Sequence, residues 1–425
     1  METIFEHQNI RFHIVPNKAF KTITIVVKIR GDLTRETITK RALLPYVLRQ
    51  GPAKYPTRRD LQLKLDHLYG ARLSLDGSKK GDNHIITLRL DTANQKYISD
   101  ESSILEEAIQ LSSDVLFNPN VTVNGFKSDI IQREKETLRK KLLSIYDDKM
   151  AYANMRLIDE MCKEEPYHLH AHGYEDDLGA IQSDTLYEYY QQMLTEDDID
   201  VYVLGDVEKA DVQDQLFSSF QRRHKLERTE KASEPSHTVS APNTVIDEQA
   251  VQQAKLHIGY RTYCTYSDDD YGALHVFNGL FGGFPSSKLF VNVREKNSLA
   301  YYAASRIESH KGLLLVFCGI APEDYNAAKT IISEQLEAMK QGDFTERELE
   351  ETKELIVNQL METMDHPKGL IEMLYQQVLA HTKLDPKALI DRIKAVEKSA
   401  VARVAKQVEL DTVYLLTRKG GGHGE

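Results

Sequence analysis

Gly282–His310, GGFPSSKLFVNVREKNSLAYYAASRIESH, is the most informative run of the 425-residue chain. A Gly-Gly turn beside Pro285 opens it, an amphipathic segment follows (Leu289, Phe290, Val293), and a small-residue apolar stretch begins at Tyr301. Arg294 and Tyr301 stand seven residues apart. On a continuous helix that spacing is about two turns and one face, but Ser298-Leu299-Ala300-Tyr301-Tyr302 reads better as a bend into a strand. Either geometry lets a fixed guanidinium and a phenol converge on one point. The bland alternative is a surface arginine and a half-buried tyrosine.

This stretch lies in the second half of a duplicated chain. In the first half, Arg11–Val15 and Thr22–Arg30 are β-branched runs joined by a Pro-Asn-Lys turn, which predicts a hairpin. Helical patterns follow at Thr37–Arg49, closed by Gly51-Pro52, and at Arg58–Tyr69, closed by Gly70. Arg72–Ser78 and His84–Leu90 alternate like paired strands. Helices then dominate from Glu101 to Leu194, before a strand at Val201–Leu204. The second half repeats this order, with strands at Leu256–Tyr260, Tyr301–Arg306 and Leu313–Gly319 and helices at Asp270–Phe281 and Thr345–Met364. Letters repeat as well: DIIQREKETLRKKLLSIYDDKMAYANM answers ELEETKELIVNQLMETMDHPKGLIEML, and VYVLGD at Val201 answers VYLLTR at Val413. The expected fold is therefore α+β, with two homologous domains, each a mostly antiparallel sheet packed with helices. Their expected bounds are 1–221 and 244–425. The charged, proline-bearing run at 222–243, without apolar periodicity, is the expected linker.

Composition narrows the function. The 54 Lys+Arg against 65 Asp+Glu give a formal charge of −11, which argues against nucleic acid or an anionic membrane as partner. A mean hydropathy of −0.46 and 41% hydrophobic residues describe a water-soluble chain. The amino terminus lacks a basic region followed by an apolar run, and Cys162, Cys264 and Cys318 are widely spaced and odd in number. Reduced thiols in a cytoplasmic protein are the expectation, and no closely spaced cysteine pair offers a zinc site.

The run SSKLFVNVREKNSLAYY resembles the second-domain signature of the pitrilysin/insulinase-type zinc peptidases, in their short, mitochondrial-processing-peptidase-like branch. Lys288 stands where an arginine is common. The duplication, the DIIQREKETL helix, the Gly205-Asp206 strand end and the Gln253-Ala254 entry extend the resemblance over nearly the whole chain. The family's chemistry uses His-x-x-Glu-His on the first long helix: two imidazoles one turn apart hold zinc, and the glutamate activates the zinc-bound water. The corresponding helix here reads ALLPYVLRQGP. The resemblance places Ala42, Pro45 and Tyr46 where the two histidines and the glutamate belong, and, with Glu134 as the family's first glutamate on the later helix, Lys141 at the third ligand. None can make a zinc site. The resemblance thus implies a chain with no metal, no cofactor and no peptidase centre of its own.

What it retains is Arg294 and Tyr301, which in complete family members stabilise the charge developing on the substrate carbonyl. The expectation is a catalytically incomplete, non-zinc subunit of a heterodimeric peptidase. It would bind peptide and supply Arg294 and Tyr301 to a homologous zinc-bearing subunit, with a homodimer as the form in isolation. Two alternatives stay open. One is a non-catalytic peptide-binding or assembly scaffold. The other is an active metallohydrolase with atypical ligands, for which His168, His170 and His172, near Glu175, are the candidates; a solvated loop is the simpler account of those histidines.

Overall fold

The structure is a computed structural model that describes residues 2–98, 103–222, 225 and 238–420. The chain forms two compact units, residues 1–144 with 169–232, and residues 145–168 with 233–425. Of the expected linker at 222–243, residues 223–224 and 226–237 lie outside the described residues. Arg222 at its start is buried, donating to the carbonyls of Asn9, Leu194 and Asp197, and Asn243 at its end already opens a strand.

The first unit holds a six-stranded sheet built from β1 (Thr3–His7), β2 (Ile10–Pro16), β3 (Thr22–Asp32), β4 (Arg72–Lys80), β5 (Asn83–Ala93) and β8 (Asp198–Gly205), in the order β1-β2-β8-β3-β5-β4. Helices α1 (Ile38–Leu48), α2 (Arg58–His67), α3 (Ile104–Phe117), α4 (Ser128–Leu143), α6 (Ser183–Glu196) and α7 (Lys209–Ser219) belong to the same unit, as does a small hairpin of β6 (Val121–Thr122) and β7 (Gly125–Phe126). Alternate residues Ile10, Phe12, Ile14, Ile23, Ile25, Val27, Ile86, Leu88 and Leu90 face the core with Leu43, Val47, Ile109 and Leu186. Each such side chain, fully buried, contributes about 1.5–3 kcal/mol.

The expected hairpin between Arg11–Val15 and Thr22–Arg30 does not form. β8 lies between the two strands, parallel to β2 (Ile14↔Val203) and antiparallel to β3 (Ile25↔Val203). The hairpin partner of β2 is β1. The cause is burial: Ile199–Gly205 is covered on both faces, and such a strand belongs inside a sheet rather than at its rim.

The second unit repeats the plan. Its strands β9 (Asn243–Glu248), β10 (Ala254–Arg261), β11 (Ala300–Glu308), β12 (Leu313–Ile320) and β13 (Glu409–Thr417) run in the order β11-β12-β10-β13-β9. Read backwards this matches the first sheet without β1, and the single parallel pair, β9 with β13, occupies the place of β2 with β8. Helices α8 (Tyr271–Asn278), α9 (Tyr325–Gln341), α10 (Glu346–Met364), α11 (Pro367–Leu379), α12 (Pro386–Lys394) and α13 (Lys398–Gln407) complete it. α10 begins where a capping box predicts, with Thr345 and Glu348 satisfying each other's backbone N–H groups.

Residues 145–168, expected within 1–221, belong to the second unit. Their helix α5 (Lys149–Met161) packs Ala153, Leu157, Ile158 and Met161 against Leu313, Leu315, Tyr414 and Leu416. An amphipathic face goes where apolar sheet needs cover, and chain order does not encode which sheet that is. No helix of the described residues is long and apolar enough to cross a membrane. All three cysteines are buried, and none is in a disulfide among the described residues.

Candidate functional site

The helix α1 is held by Arg41, a side chain with almost no solvent exposure. Its guanidinium donates to the Asp197 carboxylate, to Tyr189 Oη (3.2 Å), to His84 Nδ1 (3.2 Å) and to the carbonyls of Ile29 (3.2 Å) and His84 (3.1 Å). A fork of five N–H donors saturated in this way is rigid. His84 Nε2 in turn donates to the Ala171 carbonyl at 3.0 Å. Burial first, and then the Arg41 charge, drive the His84 pKa down to about 3. No local sequence pattern announced this network, since its members come from five separate segments.

Ala42, Pro45 and Tyr46 follow Arg41 on the same helix. Ala42 and Pro45 are buried and Tyr46 is half-buried. Pro45 lies inside the helix, where it lacks the N–H that would bond the carbonyl one turn back. The phenol of Tyr46 is kept protonated, its pKa raised by burial and by Glu134 against the opposing charge of Arg49. Lys141 is exposed near the end of α4, where its ammonium contributes, after burial, to lowering the pKa of His172. Among the described residues no hydrogen bond or ion pair joins Lys141 to α1. A methyl group, a proline ring, a neutral phenol and an ammonium do not fit a zinc ion. Hydrolysis through such an ion therefore has no ligands on these positions.

What occupies this region instead is a buried carboxylate ringed by arginines. Glu134 on α4 has no exposed side-chain surface. Its Oε1 accepts from Arg133 Nε at 2.9 Å and lies 3.4 Å from Arg58 Nη2; its Oε2 lies 3.7 Å from Arg49 Nη2. Gln50 ties the ring together, accepting from Arg58 Nε (2.5 Å) and Arg133 Nη2 (2.7 Å) while donating to the Tyr46 carbonyl (3.0 Å). Arg49 ends α1 and stacks over the Tyr46 ring, 4.9 Å from its centroid. Arg58 opens α2 behind the Thr57 cap. The sequence reading had singled out Glu134 but none of these arginines.

Arg294 and Tyr301 lie in the second unit. After α8 the chain enters a π-helical turn at Gly279–Gly283, and a second one at Phe290–Lys296 carries Arg294. Such turns recur at functional sites. Gly282 is required there, because a Cβ on it would sit 2.7 Å from the Ser305 amide nitrogen. The sequence reading of Ser298–Tyr302 as a bend is what the backbone does: Ser298 takes φ of 54°, Leu299 N–H bonds the Val293 carbonyl at 3.0 Å, and β11 starts at Ala300. Tyr301 is 72% exposed on β11, an edge strand. Arg294 is exposed and lies over the Phe290 ring, 4.6 Å from its centroid.

The histidine run is used locally. His168 Nδ1 meets the Glu165 carbonyl at 2.7 Å, His170 stacks on Tyr174 (4.9 Å between ring centroids), and burial lowers the pKa of His172. Among the described residues no three His, Cys, Asp or Glu side chains come together as a metal-ligand set.

Comparison with known proteins gives the family. Residues 180–356 match the model described as the peptidase M16 inactive domain. A Bacillus subtilis protein described as probable inactive metalloprotease YmfF is 46% identical over 413 residues, 97% of this chain and 96% of that one. The chain belongs to the M16 peptidase family. A conserved protein from Enterococcus faecalis V583 superposes with a TM-score of 0.90 at 34% identity, over 98% of this chain and 99% of the other. A Helicobacter pylori protease shares the fold at a TM-score of 0.81 and 16% identity, covering 98% and 99% of the two chains. Within the M16 family this chain stands as an inactive, metalloprotease-like member, consistent with residues at its α1 positions that cannot ligate zinc.

Proposed function

We propose that this chain is the non-zinc subunit of a two-chain M16 peptidase. It binds peptide and presents Arg294 and Tyr301 to the substrate carbonyl held at the zinc of a homologous partner subunit. The observation that carries this reading is an asymmetry. At the α1 positions Ala42 is part of the hydrophobic core, Pro45 is buried and Tyr46 packs against that core, while Arg294 and Tyr301 stay exposed. A permanently charged fork and a phenolic donor suit an oxygen on which charge develops. β11, at the sheet edge beside them, offers main-chain groups to an extended peptide. Three buried thiols outside any disulfide suit a reducing, cytoplasmic setting.

The test is reconstitution with a homologue carrying His-x-x-Glu-His. Arg294→Ala and Tyr301→Phe should each lower kcat of the pair by about a hundredfold to a thousandfold, the range for removing a preorganised donor. Unchanged rates would leave the second reading, a peptide-binding scaffold. That reading draws on the Arg294–Phe290 stack, which gives the arginine a purely structural use.

A further inference from the structure

The arginine ring around Glu134 carries more positive charge than its carboxylate needs. Arg49, Arg58 and Arg133 against Glu134 leave a local charge of 3 − 1 = +2. The carboxylate is wholly buried beneath them, whereas the three arginine side chains are 41%, 61% and 50% exposed. Each guanidinium has five N–H donors. Nη1 of Arg58, Nη1 of Arg133 and the hydrogen-bonding fork of Arg49 have no hydrogen-bond acceptor among the described residues. These donors are not floppy. Arg58 and Arg133 share the Gln50 side-chain oxygen Oε1, Arg49 is laid on the Tyr46 ring, and all three are drawn inward by one buried anion. A surface arginine loses rotamer entropy on binding, and most of that loss has already been incurred here.

We propose that Arg49, Arg58 and Arg133 form an anion-binding site for the carboxylate of an acidic peptide. Glu134 and Gln50 are its positioning residues. A two-oxygen planar anion matches a guanidinium fork in a way that an ammonium cluster would not. The choice of a peptide rests on the proposed function; the anion chemistry rests on the ring itself. Two sources share this chemistry, a chain-terminal carboxylate and an Asp or Glu side chain.

The full-length chain is titrated calorimetrically with three peptides of equal length: neutral with an amidated end, neutral with a free carboxyl end, and glutamate-bearing with an amidated end. At least one charged peptide should bind about tenfold or more tightly than the neutral amidated one, the difference shrinking as sodium chloride is raised. Whichever charged peptide carries the gain identifies the source. Arg49→Ala with Arg58→Ala should remove most of the gain, because only Arg133 then remains against the Glu134 carboxylate. Removing both arginines leaves Glu134 buried and less compensated, so the pair is also made with Glu134→Gln, which removes the buried charge and preserves folding. Arg49→Lys, which keeps the charge and loses the fork, should recover only part of the affinity. Equal binding of all three peptides, binding by the Arg49→Ala/Arg58→Ala/Glu134→Gln chain that matches the parent, or no binding of any peptide would each overturn the site. If cleavage by the reconstituted pair still depends on Arg294, the proposed function survives that failure.

Discussion

Lowering the pH from 7 to 5 should destabilise this protein, because two histidines are buried in the neutral form. His84 in the first unit and His257 in the second both have their pKa lowered to about 3, by burial first and then by Arg41 and Lys255 respectively. Their unfolded value is 6.5. Between those values the unfolded chain takes up protons that the folded chain refuses, so stability is fully present above pH 6.5 and falls as pH drops toward 3. At pH 7 the linkage cost is small, and at pH 5 it is about 2 kcal/mol per histidine. His275, lowered to about 4 by burial with no neighbouring positive charge adding to it, acts in the same direction but more weakly. His13 acts in the opposite direction. Burial works against its charge, but Asp200 and Glu2 raise its pKa overall. Its stabilisation is full below 6.5 and is lost as pH rises through its folded value. The first unit is therefore partly compensated, while the second is not. Urea melts at pH 7, 6 and 5, read by circular dichroism, should show a fall of about 2 kcal/mol or more over this range. His257→Leu isolates the effect, since neither ring nitrogen of His257 has a hydrogen-bond partner among the described residues. The substitution should cost little at pH 7 and remove about 2 kcal/mol of the pH dependence. A pH profile for His257→Leu parallel to that of the parent would refute the reasoning.

Arg41→Ala leaves Asp197, Tyr189 and two carbonyls without their donor, and a thermal melt should register a loss of about 3–5 kcal/mol, as for a broken buried ion pair. Arg41→Lys should recover only part, because an ammonium cannot fill the fork. Gly282→Ala should cost about 1–3 kcal/mol in a urea melt through the clash at Ser305, whereas Gly179→Ala, which meets nothing within 4 Å, should stay near the parent.

The site was legible in proportion to how local its determinants are. Ala42, Pro45 and Tyr46 are matched to the family pattern through the Gly51-Pro52 stop, and what the structure adds is that all three lie on one helix. The bend between Arg294 and Tyr301 could be read because a polar Ser ahead of a small apolar run disfavours continued helix, and Ser298 does leave the helical region. The arginine ring could not be read. Arg49, Arg58 and Arg133 come from three helices or their ends, and what draws them together is Glu134, whose burial no residue pattern states.

By itself the sequence determined the class of the fold, its duplication and the chemical unsuitability of α1 for zinc. These depend on residue type and on periods of two and 3.6 residues along the chain. Tertiary structure alone decided that β8 enters between β2 and β3, that residues 145–168 cover the second sheet rather than the first, and that three arginines meet over one buried carboxylate. The physical reason is common to all three. Burial on both faces, coverage of an apolar sheet and compensation of a buried charge are demands of the packed whole, met by whichever distant segment can reach.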